Sequence, residues 1–196
     1  MTVRQEPLWL LLLGGAAAAV GLYAFGASLN DVVDLRRDRL LRPERPMAAG
    51  RVTPALGIAI VSISLAAALL GSTVFGTGAV VLTMLLSIVV LVYTLGARFI
   101  PGVGLIVLGL VYAAHMLVPN FGLRFLWPVW VVMTHALVVA LISHVVGKKV
   151  PTLSRRAGFA VALGWMFWTA VLGWWSARRN GGALWPDWVD PGSLAW

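Results

Sequence analysis

Asp31, Asp34 and Asp38 follow one another at intervals of three and four residues. On an α-helix that spacing puts all three carboxylates on one face. Carboxylates crowded beside a low-dielectric region repel one another, and a hard divalent cation relieves the repulsion. Mg²⁺ characteristically takes a carboxylate or two, several waters and the oxygens of a phosphorylated substrate. The triad therefore suits a diphosphate held through metal. Arg36, Arg37, Arg39, Arg42, Arg45 and Arg51 lie in the same stretch and offer planar, bidentate donors for the remaining phosphate charge. Residues 30–51 hold four of the seven acidic residues and six of the fifteen basic ones.

A plainer reading of the same stretch is a solvated loop. Asp38 with Arg42 is an i,i+4 pair and Asp34 with Arg37 an i,i+3 pair, each worth about 0.2–0.5 kcal/mol. For any single aspartate that reading is preferable. For the stretch as a whole it leaves unexplained why so apolar a chain gathers its charge in one place.

The 196 residues are 60% hydrophobic and 11% charged, about half the charged fraction of a soluble domain. The chain reads as an all-α, polytopic membrane bundle whose partner is the lipid bilayer. It has no cysteine, which removes disulfides, thiolate metal sites and thiol nucleophiles. The formal charge of +8 sits beside the apolar runs. That is a signature of membrane topology, not of a nucleic acid partner.

Six apolar runs have the length of a span, at about 7–29, 54–73, 77–97, 102–118, 126–146 and 157–176. Pro54, Pro101 and Pro128 fall at or near helix starts, where a missing N–H costs little. The run Gly14–Ala19 permits close helix packing in lipid. Pro43, Pro46 and Gly50 forbid continuous helix after Arg42, so a structured loop should fold over the aspartates. The loops after the first, third and fifth runs carry eleven Lys and Arg, whereas Arg4, Arg124, Arg178 and Arg179 belong to the other side. The acidic stretch is thus expected on the cytoplasmic side of the cell (inner) membrane, in a multi-pass protein with both termini outside. Residues 1–179 form the expected transmembrane domain. Residues 180–196, with Trp185, Trp188 and Trp196, form an interfacial tail. His115 and His135 lie mid-run; each reads equally as a pocket residue or as an imidazole satisfied by a neighbouring helix.

The acidic stretch resembles the first aspartate-rich motif of the UbiA superfamily of membrane prenyltransferases. That pattern is Asn-Asp-x-x-Asp-x-x-x-Asp, then Arg-Pro-x-Arg-Pro and a nearby Gly. Asn30, Asp31, Asp34, Asp38, Arg42, Pro43, Arg45, Pro46 and Gly50 fill those places. The flank from Gly21 to Leu29 is most similar to the divergent EboC-like branch. Tyr93 and Arg98 match the spacing of a second family feature, with Ala97 where a Lys is usual. The resemblance implies an all-helical bundle around a cavity open to the cytoplasm. It also implies Mg²⁺-dependent transfer of an isoprenyl group from a prenyl diphosphate to an acceptor. On that basis Asp31, Asp34 and Asp38 are metal ligands and catalytic groups together with Arg98, while Asn30, Arg42, Arg45, Tyr93 and Lys148 bind diphosphate.

Two departures accompany the resemblance. The second aspartate motif of the family should fall in the loop after 126–146, but residues 141–151 contain no acid and offer His144, Lys148 and Lys149 instead. Six runs also stand where the family usually has nine spans, so a second copy or a partner membrane subunit is expected to close the cavity. These departures keep a second reading open: a non-catalytic relative that binds an isoprenoid, quinone or pigment, or a structural subunit of a membrane complex.

Overall fold

The computed structural model describes residues 6–147 and 152–182. It contains six helices and, among the described residues, no strand: α1 (Leu8–Leu41), α2 (Pro54–Thr73), α3 (Thr77–Leu95), α4 (Pro101–Leu117), α5 (Trp127–Val146) and α6 (Arg155–Arg179). All but α4 are long and apolar enough to cross a membrane, and α4 is a shorter apolar helix of 17 residues. The protein is a polytopic helical bundle. Its large exposed side chains are apolar along the helices, for example Leu12, Leu13, Ile63 and Leu70, as expected of a surface that faces lipid.

Pro54, Pro101 and Pro128 all occupy first turns. Thr53 caps α2 by accepting the Leu56 N–H at 3.2 Å, and Ser154 caps α6 by accepting the Ala157 N–H at 3.1 Å, each satisfying an orphan donor of a first turn. The apolar run of α1 ends near residue 29, but its helix continues through the charged residues to Leu41, as the spacing of the aspartates and the prolines after Arg42 imply. No Pro or Gly lies between Asn30 and Leu41 to stop it. Pro43 then excludes the helical conformation at the residue before it, and Arg42 leaves the helix at φ −146° and ψ 62°. At about 1.5 Å per residue the apolar part of α1 already spans a hydrocarbon core of about 30 Å. The aspartates ride on the extension.

The chain divides into two compact units. The first comprises residues 1–100 and 114–121, the second residues 101–113 and 122–196. In the first, α1 packs along α2 on small residues. A Cβ on Gly21 would lie 2.7 Å from the Ala68 nitrogen and 2.8 Å from the Ser64 oxygen; one on Gly71 would lie 2.6 Å from the Ala18 nitrogen and the Gly14 oxygen. The two backbones touch where those glycines sit, as the small-residue run of α1 implies. α3 turns Ala79, Thr83, Leu86, Ser87, Val90 and Thr94 inward. Thr83 and Ser87 donate to carbonyls one turn back, both at 2.8 Å, which satisfies their hydroxyls without water.

In the second unit Leu105, Leu137 and Val161 form a buried cluster, joined by Ile106, Leu141 and Trp165. Polar ties hold α5 to α6: Trp130 Nε1 donates to Thr169 at 2.9 Å, and Trp165 Nε1 to Thr134 at 3.0 Å. At one end Arg179 donates to the Leu123 carbonyl and Asn180 to that of Arg124, both at 2.7 Å.

Candidate functional site

The site is assembled in the first unit from the extension of α1, the turn that follows it, and the end of α3. Asn30, Asp34, Arg37, Asp38 and Leu41 recur at three- and four-residue intervals along α1 and line one cavity of about 240 Å³, completed by Arg42, Arg45 and Arg98. Two of the three aspartates of the face read from the spacing, Asp34 and Asp38, therefore stand in the wall of a cavity.

The turn at 42–52 is folded over this face. Arg45 N–H donates to the Arg42 carbonyl at 3.1 Å, Ala49 N–H to that of Arg45 at 2.8 Å, and Arg51 N–H to that of Pro46 at 2.9 Å. Gly50 takes φ 75°, a left-handed conformation that glycine adopts without steric cost. The Arg51 side chain reaches back to the Glu44 carbonyl at 2.6 Å. Met47, the one large apolar residue between Arg42 and Arg51, is buried, with its thioether over Gly57. A Cβ at Gly57 would lie 2.9 Å from the Met47 methyl and 3.1 Å from a Val32 methyl. The small residue on α2 thus makes the seat in which the turn is anchored.

Two arginines divide the three aspartates. Arg45 Nη1 donates to Asp31 Oδ1 at 3.2 Å and to Asp38 Oδ2 at 2.8 Å. Arg98, from the single 3₁₀ turn Ala97–Phe99, grips Asp34 with both terminal nitrogens and also donates to Asn30 Oδ1. The side chains of Arg98 and Asp34 are each 14% exposed, whereas that of Asp31 is 47% exposed. Arg98 stacks its guanidinium 4.7 Å from the Phe99 ring centroid, and its buried Nε has no partner among the described residues. The carboxylates thus take partners 7, 14 and 64 positions away, not the Arg37 and Arg42 that the solvated-loop reading pairs them with. The Arg98–Asp34 pair also brings the ends of α1 and α3 to one end of the unit, as the grouping of their cations implies.

Of the residues singled out from the sequence, Asn30, Asp34, Asp38, Arg42, Arg45 and Arg98 line the cavity, and Asp31 joins them through Arg45. Tyr93 is half-buried on α3, five residues before Arg98, outside the cavity lining. Lys148 lies outside the described residues, as does Lys149. Arg37, one of the six arginines offered as phosphate donors, lines the cavity, and so does Leu41, which was not singled out; their helical register with Asn30, Asp34 and Asp38 is the signal that points to them. His115 is half-buried on α4 and His135 is exposed on α5.

The lining carries four guanidiniums against two carboxylates, so the cavity is net positive and fitted to a multiply charged anion. Among the described residues no three His, Asp or Glu side chains are grouped so as to hold a metal ion by themselves. Two of the carboxylates nevertheless converge: one guanidinium nitrogen sits within 3.2 Å of both Asp31 and Asp38, so a single cation can be shared between them. Hard oxygen donors in that number fit Mg²⁺ whose remaining positions are filled by water and phosphate.

A family model described as the UbiA prenyltransferase family matches residues 1–189. No curated protein and no solved structure matches the chain.

Proposed function

Since the chain belongs to the UbiA prenyltransferase family, we propose that it transfers an isoprenyl group from a prenyl diphosphate to an acceptor, with the diphosphate seated in the cavity between α1 and Arg98. The observation that carries this reading is the meeting of Asn30, Asp34 and Asp38 with Arg37, Arg42, Arg45 and Arg98 around one cavity of about 240 Å³. Asp31 and Asp38 would hold Mg²⁺, with Asp34 fixed beside them by Arg98, and the ion would supply Lewis-acid charge at the diphosphate oxygens.

The reaction breaks the bond between the allylic carbon and the diphosphate oxygen, and negative charge builds on the leaving group. The arginines that line the cavity would oppose that charge as it develops, which is where preorganised donors lower a barrier most. Arg98 is fixed by Asp34 and Asn30 at the cavity wall, where its charge opposes that of the diphosphate. Arg42 and Arg37, both exposed on the cavity rim, have the freedom to close on the outer phosphate. Apolar helix surface would take the prenyl chain and keep water from the allylic cation. The acidic stretch faces the cytoplasm of a cell (inner) membrane in this reading, because α1, its turn and Arg98 gather the cations at one end.

A second reading, a relative that binds an isoprenoid, quinone or pigment without turning it over, or that serves in a membrane complex, is favoured by one feature: residues 141–151 supply no acid for a second metal. Incubation of the purified protein with prenyl diphosphates of graded chain length and Mg²⁺, following diphosphate release, separates the two. Release that disappears in Asp34→Asn/Asp38→Asn supports the transferase. No release from any donor, with retained binding of the intact diphosphate, supports the second reading.

A further inference from the structure

Asp31 and Asp38 share one cation already, and it belongs to the protein. Arg45 Nη1 lies 3.2 Å from one carboxylate and 2.8 Å from the other. Asp34 stands apart from this arrangement, held by both terminal nitrogens of Arg98, with both side chains 14% exposed. The three carboxylates are therefore not equivalent: two are bridged by a half-exposed arginine on the turn after α1, and one is held by a largely buried arginine from the 3₁₀ turn after α3.

Resting on the reading of this cavity as a metal–diphosphate site, we infer that Arg45 is a built-in counter-cation. It occupies the Asp31–Asp38 position until a divalent ion arrives with a diphosphate, and the displaced guanidinium then swings to the phosphate. Asp34 stays with Arg98 throughout and acts as a positioning residue.

The turn makes the exchange a side-chain event. The backbone of Arg45 is fixed by its bonds to Arg42 and Ala49, by the Arg51 clasp on Glu44 and by Met47 over Gly57. Arg45 also lines the cavity directly, so its guanidinium passes from carboxylate to phosphate by rotamer change alone. A divalent ion without diphosphate must displace Arg45 into water and leave the cavity with an unneutralised guanidinium. With diphosphate, the freed arginine gains a bidentate partner of equal strength. Metal and diphosphate should then bind together, each raising the affinity of the other, as linkage requires.

The test is Mn²⁺ binding to the purified full-length protein, read from the electron paramagnetic resonance of free Mn²⁺, with and without inorganic diphosphate. Wild type should bind Mn²⁺ at least tenfold more tightly with diphosphate than without. Arg45→Met, which keeps the stem and removes the charge, should bind Mn²⁺ alone about tenfold more tightly than wild type and lose most of the enhancement by diphosphate. Arg156→Met, at an exposed arginine of α6 that does not line the cavity, should leave Mn²⁺ binding unchanged with and without diphosphate. Equal Mn²⁺ affinity of wild type and Arg45→Met without diphosphate overturns the exchange and leaves the metal–diphosphate reading standing. Absence of Mn²⁺ binding in every combination overturns both. A second measurement uses unaltered protein: modification of Arg45 by phenylglyoxal, followed by peptide mass spectrometry, should accelerate when Mn²⁺ is added alone at saturating concentration and slow again with diphosphate. A rate indifferent to Mn²⁺ while Mn²⁺ is bound overturns the exchange.

Discussion

Replacing Arg98 by Met removes the guanidinium that holds Asp34 and Asn30 and leaves the hydrocarbon stem largely in place. Two of the lost interactions involve both oxygens of a carboxylate only 14% exposed, one of them at 3.0 Å. Removing one member of a fully buried pair typically costs about 3–5 kcal/mol, because an uncompensated charge is left behind. Here the carboxylate borders a polar cavity of about 240 Å³, and water can enter such a space to restore part of its solvation. The expected cost is therefore lower, about 2–3 kcal/mol. Asp34→Asn in the Arg98→Met background removes the stranded charge and should recover part of the loss, giving a coupling of about 1–2 kcal/mol between the two positions. Arg98→Lys keeps the charge but not the fork, and should fall between wild type and Met. Unfolding in mixed micelles with increasing sodium dodecyl sulfate, followed by far-ultraviolet circular dichroism, measures wild type, Arg98→Met, Arg98→Lys, Asp34→Asn and the Arg98→Met/Asp34→Asn double variant. An Arg98→Met protein as stable as wild type, or single-variant costs that add within about 0.5 kcal/mol, would refute the assignment of this pair as the clamp between α1 and α3.

Gly21→Ala should destabilise the protein by about 1–3 kcal/mol, because its Cβ would meet α2 backbone atoms at 2.7–2.8 Å. Gly15→Ala, whose Cβ meets only the Phe75 ring at 3.6 Å, should be neutral or gain about 0.5–1 kcal/mol of helix propensity; thermal denaturation in detergent that ranks the two the other way would contradict the α1–α2 contact. Ser176→Ala removes the oxygen that accepts the buried Leu126 N–H at 3.2 Å and should cost about 1–3 kcal/mol, visible as faster amide hydrogen exchange at Leu126.

Much of the site was legible because helical spacing is a local property. The interval between Asp31, Asp34 and Asp38 says which face they share before any neighbour is known. The prolines at 43 and 46 and the glycine at 50 say where that helix must stop and turn. The family motif covers the same residues, and the match over residues 1–189 agrees with it. The apolar run ends near residue 29, yet the helix runs on to Leu41. Lipid requires an apolar segment, but hydrogen bonding along the backbone continues wherever nothing interrupts it, and nothing does before Pro43.

Which cation meets which carboxylate could not be read from the chain. Arg37, Arg42, Arg45 and Arg98 were equal candidates by charge, and local pairing favoured the nearest ones. The structure instead joins residues 14 and 64 positions apart. The physical reason lies outside the motif. Glycines at 21 and 71 let α1 and α2 touch, Gly57 leaves a seat for Met47, and the end of α3 returns to the end of α1. Sequence alone determined a membrane bundle, a family and a shared acidic face. Tertiary packing decided that two of its aspartates answer to Arg45 and the third to Arg98, because only the fold sets the distances at which those charges meet.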